Sequence, residues 1–455
     1  MPKPLRRGVA LGLAGFTALA ALATACAPGS GNSAGPTTKA PTAVSTDIAK
    51  AGDVTLTVWD QEVRGGQKEQ IDKLNAAFQA KYPNVKIKRV SRSYPDLQKT
   101  LRLALSGDTP PDVVETNQGY AVMGAFVKAG MLLRLDSYDQ VYGWRKRFPK
   151  GLIETNSVTA DGRTLGSGSL YGVSLHGEIV GVFFNKDKLA ELGIQQPKTW
   201  AEFENALATV KGKGEVPIAF GNLDKFPGIH EFGVIQDQIA GKDAVRNLFF
   251  GRGGSWTDPA NVQAAQKLAD WVKQGYLPKN ANAVKYDDSP VNFAKGQGAF
   301  LIGGTWFAAD LEKAMGGKVG FMLPPPAQAG APSVTMGGES LPFSITSKSK
   351  HPDVAAAYID FITSPESMDI ATEHGLLPAL PPASRRPSSA LQKDIFAAWK
   401  AVSDSDGLTP YLDNATPTFP DTLGGALQKL IGGHATPRES LGEAQKDYSA
   451  FLKKK

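Results

Sequence analysis

Residues 170–203 read LYGVSLHGEIVGVFFNKDKLAELGIQQPKTWAEF, and the organisation of the chain turns on them. Gly177 to Phe184 is a buried-strand pattern, and Asn185 ends it with a side-chain amide. Asp187 to Leu192 follows as one short helix closed by Gly193. Pro197-Lys198-Thr199 then opens a second helix, in which Thr199 is placed as N-cap and Glu202 stands at the capping-box spacing. Trp200, Phe203 and Leu207 share the buried side of that helix.

Upstream, Asp53 to Asp60 alternates Val54, Leu56 and Val58 against Thr55, Thr57 and Trp59, the pattern of a strand with one face buried. Trp59 and Asp60 fall at its C-terminal end, and ligands of open α/β sheets bind beyond such ends. A helix from about Gln67 to Lys81 carries Ile71, Leu74 and Phe78 at helical spacing and is stopped by Pro83. Val85 to Val90 is the next strand and completes a βαβ unit. A second helix near Asp96 to Ser106 leads to a short strand, Asp112 to Glu115, followed by Asn117. No phosphate-loop glycine pattern follows these strands, which argues against a nucleotide site. Downstream, Val216 to Phe220 reads as a strand, and the turn Gly254 to Pro259 starts a helix with Val262, Ala265, Leu268 and Val272 at helical spacing.

The pattern YGVS…GVFFNKDKLAELGI…PKTWAEF resembles the crossover segment of the extracellular solute-binding proteins, family 1, the sugar-binding lipoproteins of bacterial ABC transporters. The resemblance extends to SGDTPPDVVETNQGYAVMGAFVKAGMLLRLDSY in the first third and to FAKGQGAFLIGGTWFAADL at residues 293–311. GFMLPPP at 320–326, with the loop through Gly337-Gly338-Glu339, is similar to the family's return to the first lobe. The resemblance implies an α/β, two-lobed periplasmic-binding-protein-like fold of type II, with the ligand in the cleft between lobes and a three-segment hinge. It places residues 53–173 plus 320–364 in lobe 1 and 174–319 plus 365–455 in lobe 2, with crossings near 174, 319 and 364.

The N-terminus has its own logic. Lys3, Arg6 and Arg7 precede the apolar run Val9 to Ala25, which ends in small residues, so residues 1–25 read as a secretory signal. Cys26, the one cysteine of the chain, has no partner for an internal disulfide, and its place resembles a lipoprotein cleavage site. Residues 26–52 become a lipidated cysteine and a flexible tether rich in Gly, Ser, Thr and Pro, with an r.m.s. span on the order of 30 Å. Arg6-Arg7 leaves the general secretory and twin-arginine routes both open. The chain carries a formal net charge of +6, which falls to +3 without the three basic residues of the signal. Lys and Arg are dispersed and no nucleic-acid motif appears, so nucleic acid is excluded as a partner. Five scattered histidines and a lone cysteine argue against a metal site, and no cofactor is expected.

A sugar offers apolar ring faces rimmed by hydroxyls, so its site needs aromatic planes and carboxylates or amides. The candidates at loop positions are Trp59, Asp60, Glu62, Asn117, His176, Glu178, Trp256, Trp306, Glu339 and Asp413. For Trp306 the family motif GGTW implies a ring laid beside the sugar by Gly303 and Gly304, and Asp413, in YLDNATPTF, resembles the family's late loop over the site. Trp200, Trp144 and Trp271 read as core. The resemblance implies a monomeric binding protein without catalysis, whose partners are a carbohydrate, the permease of an ABC transporter and, through its lipid, the outer face of the cytoplasmic membrane. Two alternatives remain open: a secreted glycoside hydrolase using a carboxylate pair such as Asp60 and Glu178, and the same fold holding a polyamine, peptide or metal chelate.

Overall fold

A computed structural model describes residues 40–454. Its first sheet runs in the order Val85–Ser91, Val54–Asp60, Val113–Glu115, Pro342–Ile345, Val173–Ser174. The first three strands are parallel and the last two pairings antiparallel. The helices Gly65–Lys81 and Tyr94–Ser106 make the crossovers, as the apolar spacing predicts. Ser93 caps the second of them by accepting from the Asp96 amide.

The second sheet is built around Gly177–Asn185, whose nine residues are all buried. Its first part pairs with Thr335–Glu339, its middle with Phe300–Gly304 and its end with Val319–Met322, all antiparallel. Leu408–Thr409 adds an edge to Thr335–Glu339. Asn185 ends the strand by capping the helix Lys186–Glu191. Thr199 caps Trp200–Gly212, whereas the Glu202 carboxylate accepts from the Lys198 amide, one residue short of a closed capping box. Trp200 stacks on Trp271 at 5.8 Å between centroids, which makes both of them packing residues.

The chain changes sheet at three places that lie side by side. Leu175–His176 joins Ser174 to Gly177, and Ser340–Leu341 joins Glu339 to Pro342. The third is Leu376–Ala379, between a helix packed on Gly65–Lys81 and one packed on Val319–Met322. Hydrogen bonds tie them together: Ser340 N–H to the His176 carbonyl at 3.0 Å, and Gly177 N–H to the Leu377 carbonyl at 3.0 Å. The first crossing stands near the expected residue 174, but the other two are displaced from 319 and 364. Val319–Met322 and Thr335–Glu339 both pair with Gly177–Asn185, so the chain stays in the second half through Glu339. The helix Pro365–Glu373 stays with the first. The expected strand at Val216 to Phe220 is reduced to a bridge between Ile218 and Phe300, since Pro217 has no N–H to donate.

Candidate functional site

A cleft lined by residues of both lobes opens between them. From the first lobe come Gln61 and Arg64, just after the first strand, Tyr94 at the start of its helix, and Asn117 and Gln118 after the third strand. From the second come Glu178 on the long strand, Phe226, His230, Tyr286, Trp306, and Tyr411 with Asp413 on the late loop.

Trp306 sits in a 3₁₀ turn directly after the strand Phe300–Gly304. A Cβ at Gly304 would overlap the six-membered ring of Trp306, so glycine there lets the indole lie back over the strand end. The Trp306 Nε1–H donates to the Tyr286 hydroxyl at 2.7 Å, and the ring neighbours His230 and Tyr411. With its Nε1–H spent inside the protein, the indole offers the cleft apolar ring surface. Phe226 packs edge-on against both Tyr94 and Tyr286, so the aromatic wall spans the two lobes.

The polar groups divide by what already satisfies them. The Asn117 amide donates to the Tyr94 hydroxyl at 3.0 Å. Gln118 reaches the Glu339 and Ser340 carbonyls. Glu339 is pushed up to about 8 by burial, against hydrogen bonds from Thr155 and Asn156 among others. Burial also pushes Glu178 up to about 8 and Asp413 up to about 6. Burial drives His230 down to about 3, so it is neutral at pH 7. Among the described residues no His, Cys, Asp and Glu side chains gather as a metal site.

Of the ten candidates, Asn117, Glu178, Trp306, Glu339 and Asp413 line this cleft. The other five lie outside its wall. Trp59 is half-buried under the Arg92 guanidinium, 4.8 Å from its ring centroid. Asp60 is fully buried in a bidentate pair with Arg89, at 2.7 Å for both bonds. Glu62 is buried against Glu115 and is pushed up to about 7, first by burial. His176 lies at the hinge with its Nε2 2.5 Å from Gln70 Oε1. Trp256 is fully buried against Phe419. The carboxylate pair named for a hydrolase is therefore not assembled, since Asp60 is locked to Arg89 away from the cleft. The residues missed from sequence are chiefly Gln61 and Arg64, the neighbours of those named, and the aromatics Tyr94, Phe226, Tyr286 and Tyr411. Only Tyr411, two residues before Asp413, and Tyr94, at a helix start beyond a strand end, carried a positional signal.

The model of the bacterial extracellular solute-binding protein family matches residues 65–369, more than half of the chain. The chain belongs to this family. The solute-binding protein is 24% identical to an uncharacterised ABC-transporter extracellular-binding protein of Pyrococcus horikoshii, over 94% of this chain and 92% of that one. It is 24% identical to the multiple sugar-binding protein of Streptococcus mutans, over 66% of this chain and 70% of the relative. A solved chitin oligosaccharide binding protein superposes with a TM-score of 0.77 at 24% identity, covering 88% of this chain and 99% of that one. For a solute-binding protein, a cleft walled by both lobes supplies the differential contact that favours the form with the lobes together.

Proposed function

We propose that this protein binds a mono- or oligosaccharide outside the cell and delivers it to the permease of an ABC transporter, without catalysis. The observation that carries the reading is Trp306. Its indole is held by Gly304 and Tyr286 at a cleft lined by carboxyl groups and amides, and an aromatic ring beside such groups is the complement of a sugar ring. The names of the Streptococcus mutans relative and of the solved structure, sugar-binding and chitin oligosaccharide binding, support the same ligand class. We assign ligand contact to Asn117, Glu178, Trp306 and Asp413. Glu339, held by its own donors, shapes the wall.

Cys26 lies outside the described residues, and its lipidation and the anchoring of a monomer at the outer face of the membrane belong to the same proposal. The test is a thermal-shift screen of mono- and oligosaccharides. A true ligand at about 100 times its Kd stabilises by about 2.7 kcal/mol. A screen in which no saccharide raises the melting temperature, or in which the sugar is cleaved, overturns the reading. In cells, Cys26→Ser should release the protein from the membrane and leave its sugar affinity intact.

A further inference from the structure

Glu178 is a carboxyl group at the cleft without a protein partner. It lines the cleft at 7% exposure, and among the described residues its carboxylate takes part in no hydrogen bond or ion pair. Its backbone is fixed by register with Gly338, so the side chain is presented by a rigid element. A buried polar group without a partner is costly, and the exceptions call for a reason. The hydroxyl of Tyr411, on the same cleft, is also buried and unpartnered. Ligand groups that satisfy both would supply the reason.

The charges around Glu178 select the sign of that group. Arg64 is the cation at the cleft, and it is committed: it pairs with Asp287 at 2.7 Å and lies over the Phe307 ring. His230 is neutral. The helix Gly228–Ile239 begins at the cleft, and its end would favour an anion. Its first N–H groups, however, already bond to Asn222, Phe226 and Pro227, and Glu231 sits in its first turn. Against one paired arginine stand three carboxyl groups, Glu178, Asp413 and Glu339, held up by burial and able to yield a proton to an incoming cation. Glu178 and Asp413 both act on the Tyr411 and Tyr94 hydroxyls, so their fields converge on the same space.

We propose, on the saccharide reading above, that the ligand is an amine-bearing saccharide, an amino sugar whose nitrogen is not acetylated. Its ammonium pairs with Glu178, Asp413 adds to the negative field, and a ring face rests on Trp306. Burial first, then the Glu62 and Glu339 charges, raise Glu178 against the pull of Arg64. An ammonium beside it drives the proton off, so binding near pH 7 releases protons.

Calorimetry on the full chain compares glucosamine oligosaccharides with their N-acetylated forms, with neutral cello-oligosaccharides of equal length, and with spermidine. The free-amine form should bind about tenfold tighter or more than the acetylated form, the range of a charge-assisted hydrogen bond. Repeating the titration in buffers of different ionisation heat should show proton release. Glu178→Gln should bring the two forms to similar affinity. If that variant folds poorly, Glu178→Asp should keep the preference for the amine at lower affinity. Acetylated or neutral sugars binding as tightly as the amine would overturn the amine assignment and leave the saccharide reading standing. Spermidine outcompeting every saccharide would overturn both, and no binding by any of them would overturn the amine assignment and leave the saccharide reading to the wider screen.

Discussion

Gly119 sits where the two lobes touch, and replacing it with alanine separates the closing of the cleft from the chemistry inside it. The residue follows the third strand of the first sheet and has φ +83°, a backbone that L-residues avoid. A Cβ there would run into Asn414 of the late loop and come within 2.8 Å of its carbonyl oxygen. Two costs follow, and they have different readouts. The backbone strain, about 1–3 kcal/mol, lowers the melting temperature of the ligand-free protein. The overlap with Asn414, about 1–3 kcal/mol by the range for overpacking, exists only when the lobes meet, so it falls on the liganded form. Saccharide affinity should drop by about 5- to 150-fold, since each 1.4 kcal/mol is a factor of ten. Calorimetry with the best sugar of the screen gives the loss. Scattering should then show less compaction of the variant at a fixed sugar concentration. Asn414→Gly in the Gly119→Ala background removes the Cβ overlap but keeps the close carbonyl and the strain, so it should restore part of the affinity without restoring the melting temperature. Unchanged affinity in Gly119→Ala, or no rescue by Asn414→Gly, refutes the view that this contact gauges closure.

Two tryptophans give a contrast. Trp306→Ala should weaken sugar binding by about 1–3 kcal/mol, taking the range for base–aromatic stacking as a guide. Trp256→Ala should instead cost about 3–5 kcal/mol of stability, as for a core aromatic, with sugar affinity of the folded protein unchanged. Denaturant titration alongside calorimetry distinguishes them, and exchanged phenotypes would refute both assignments. pH gives another handle on the ligand-free protein. Glu62, Glu178, Glu339 and Asp237 are raised to about 7 or 8, chiefly by burial, so the folded state keeps protons that the unfolded chain has lost above about 4.5. Stability contributed by these groups is present at low pH and lost as pH rises through the folded values. His176 and His230, depressed to about 3, act only below about 6.5, where the unfolded chain gains their protons. Melting temperature should therefore fall from about pH 6.5 to 8, and a rise across that window would refute the buried-acid account.

The fold was legible where its causes are local. The alternation of Val54, Leu56 and Val58, the continuous burial of Gly177–Asn185 and the cap at Thr199 each depend on a few neighbouring residues, and each stands where the pattern puts it. The crossings near 319 and 364 were misplaced because they depend on partners. Val319–Met322 looks the same from sequence whether it pairs with Gly177–Asn185 or returns to the other sheet, and only long-range register decides.

The cleft obeys the same division. The rule that ligands gather beyond strand C-termini pointed to the segment after Asp60, yet Gln61 and Arg64 face the cleft while Asp60 and Glu62 turn into the lobe. A tight turn, with the Val63 N–H on the Gln61 carbonyl at 2.7 Å, breaks the strand alternation there, and Arg89 from the neighbouring strand pulls Asp60 inward. Trp256, which follows a glycine turn much as Trp306 does, is core because Phe419 arrives from far along the chain to cover it. Trp306 was readable because what frees its ring, the missing Cβ of Gly304, lies two residues away. The aromatic wall is the opposite case: Tyr94 meets Phe226 only when the lobes meet, and Phe226 meets Tyr286 only through the fold of the second lobe, so the role of Phe226 and Tyr286 belongs to the assembled cleft and leaves no trace in their own segments.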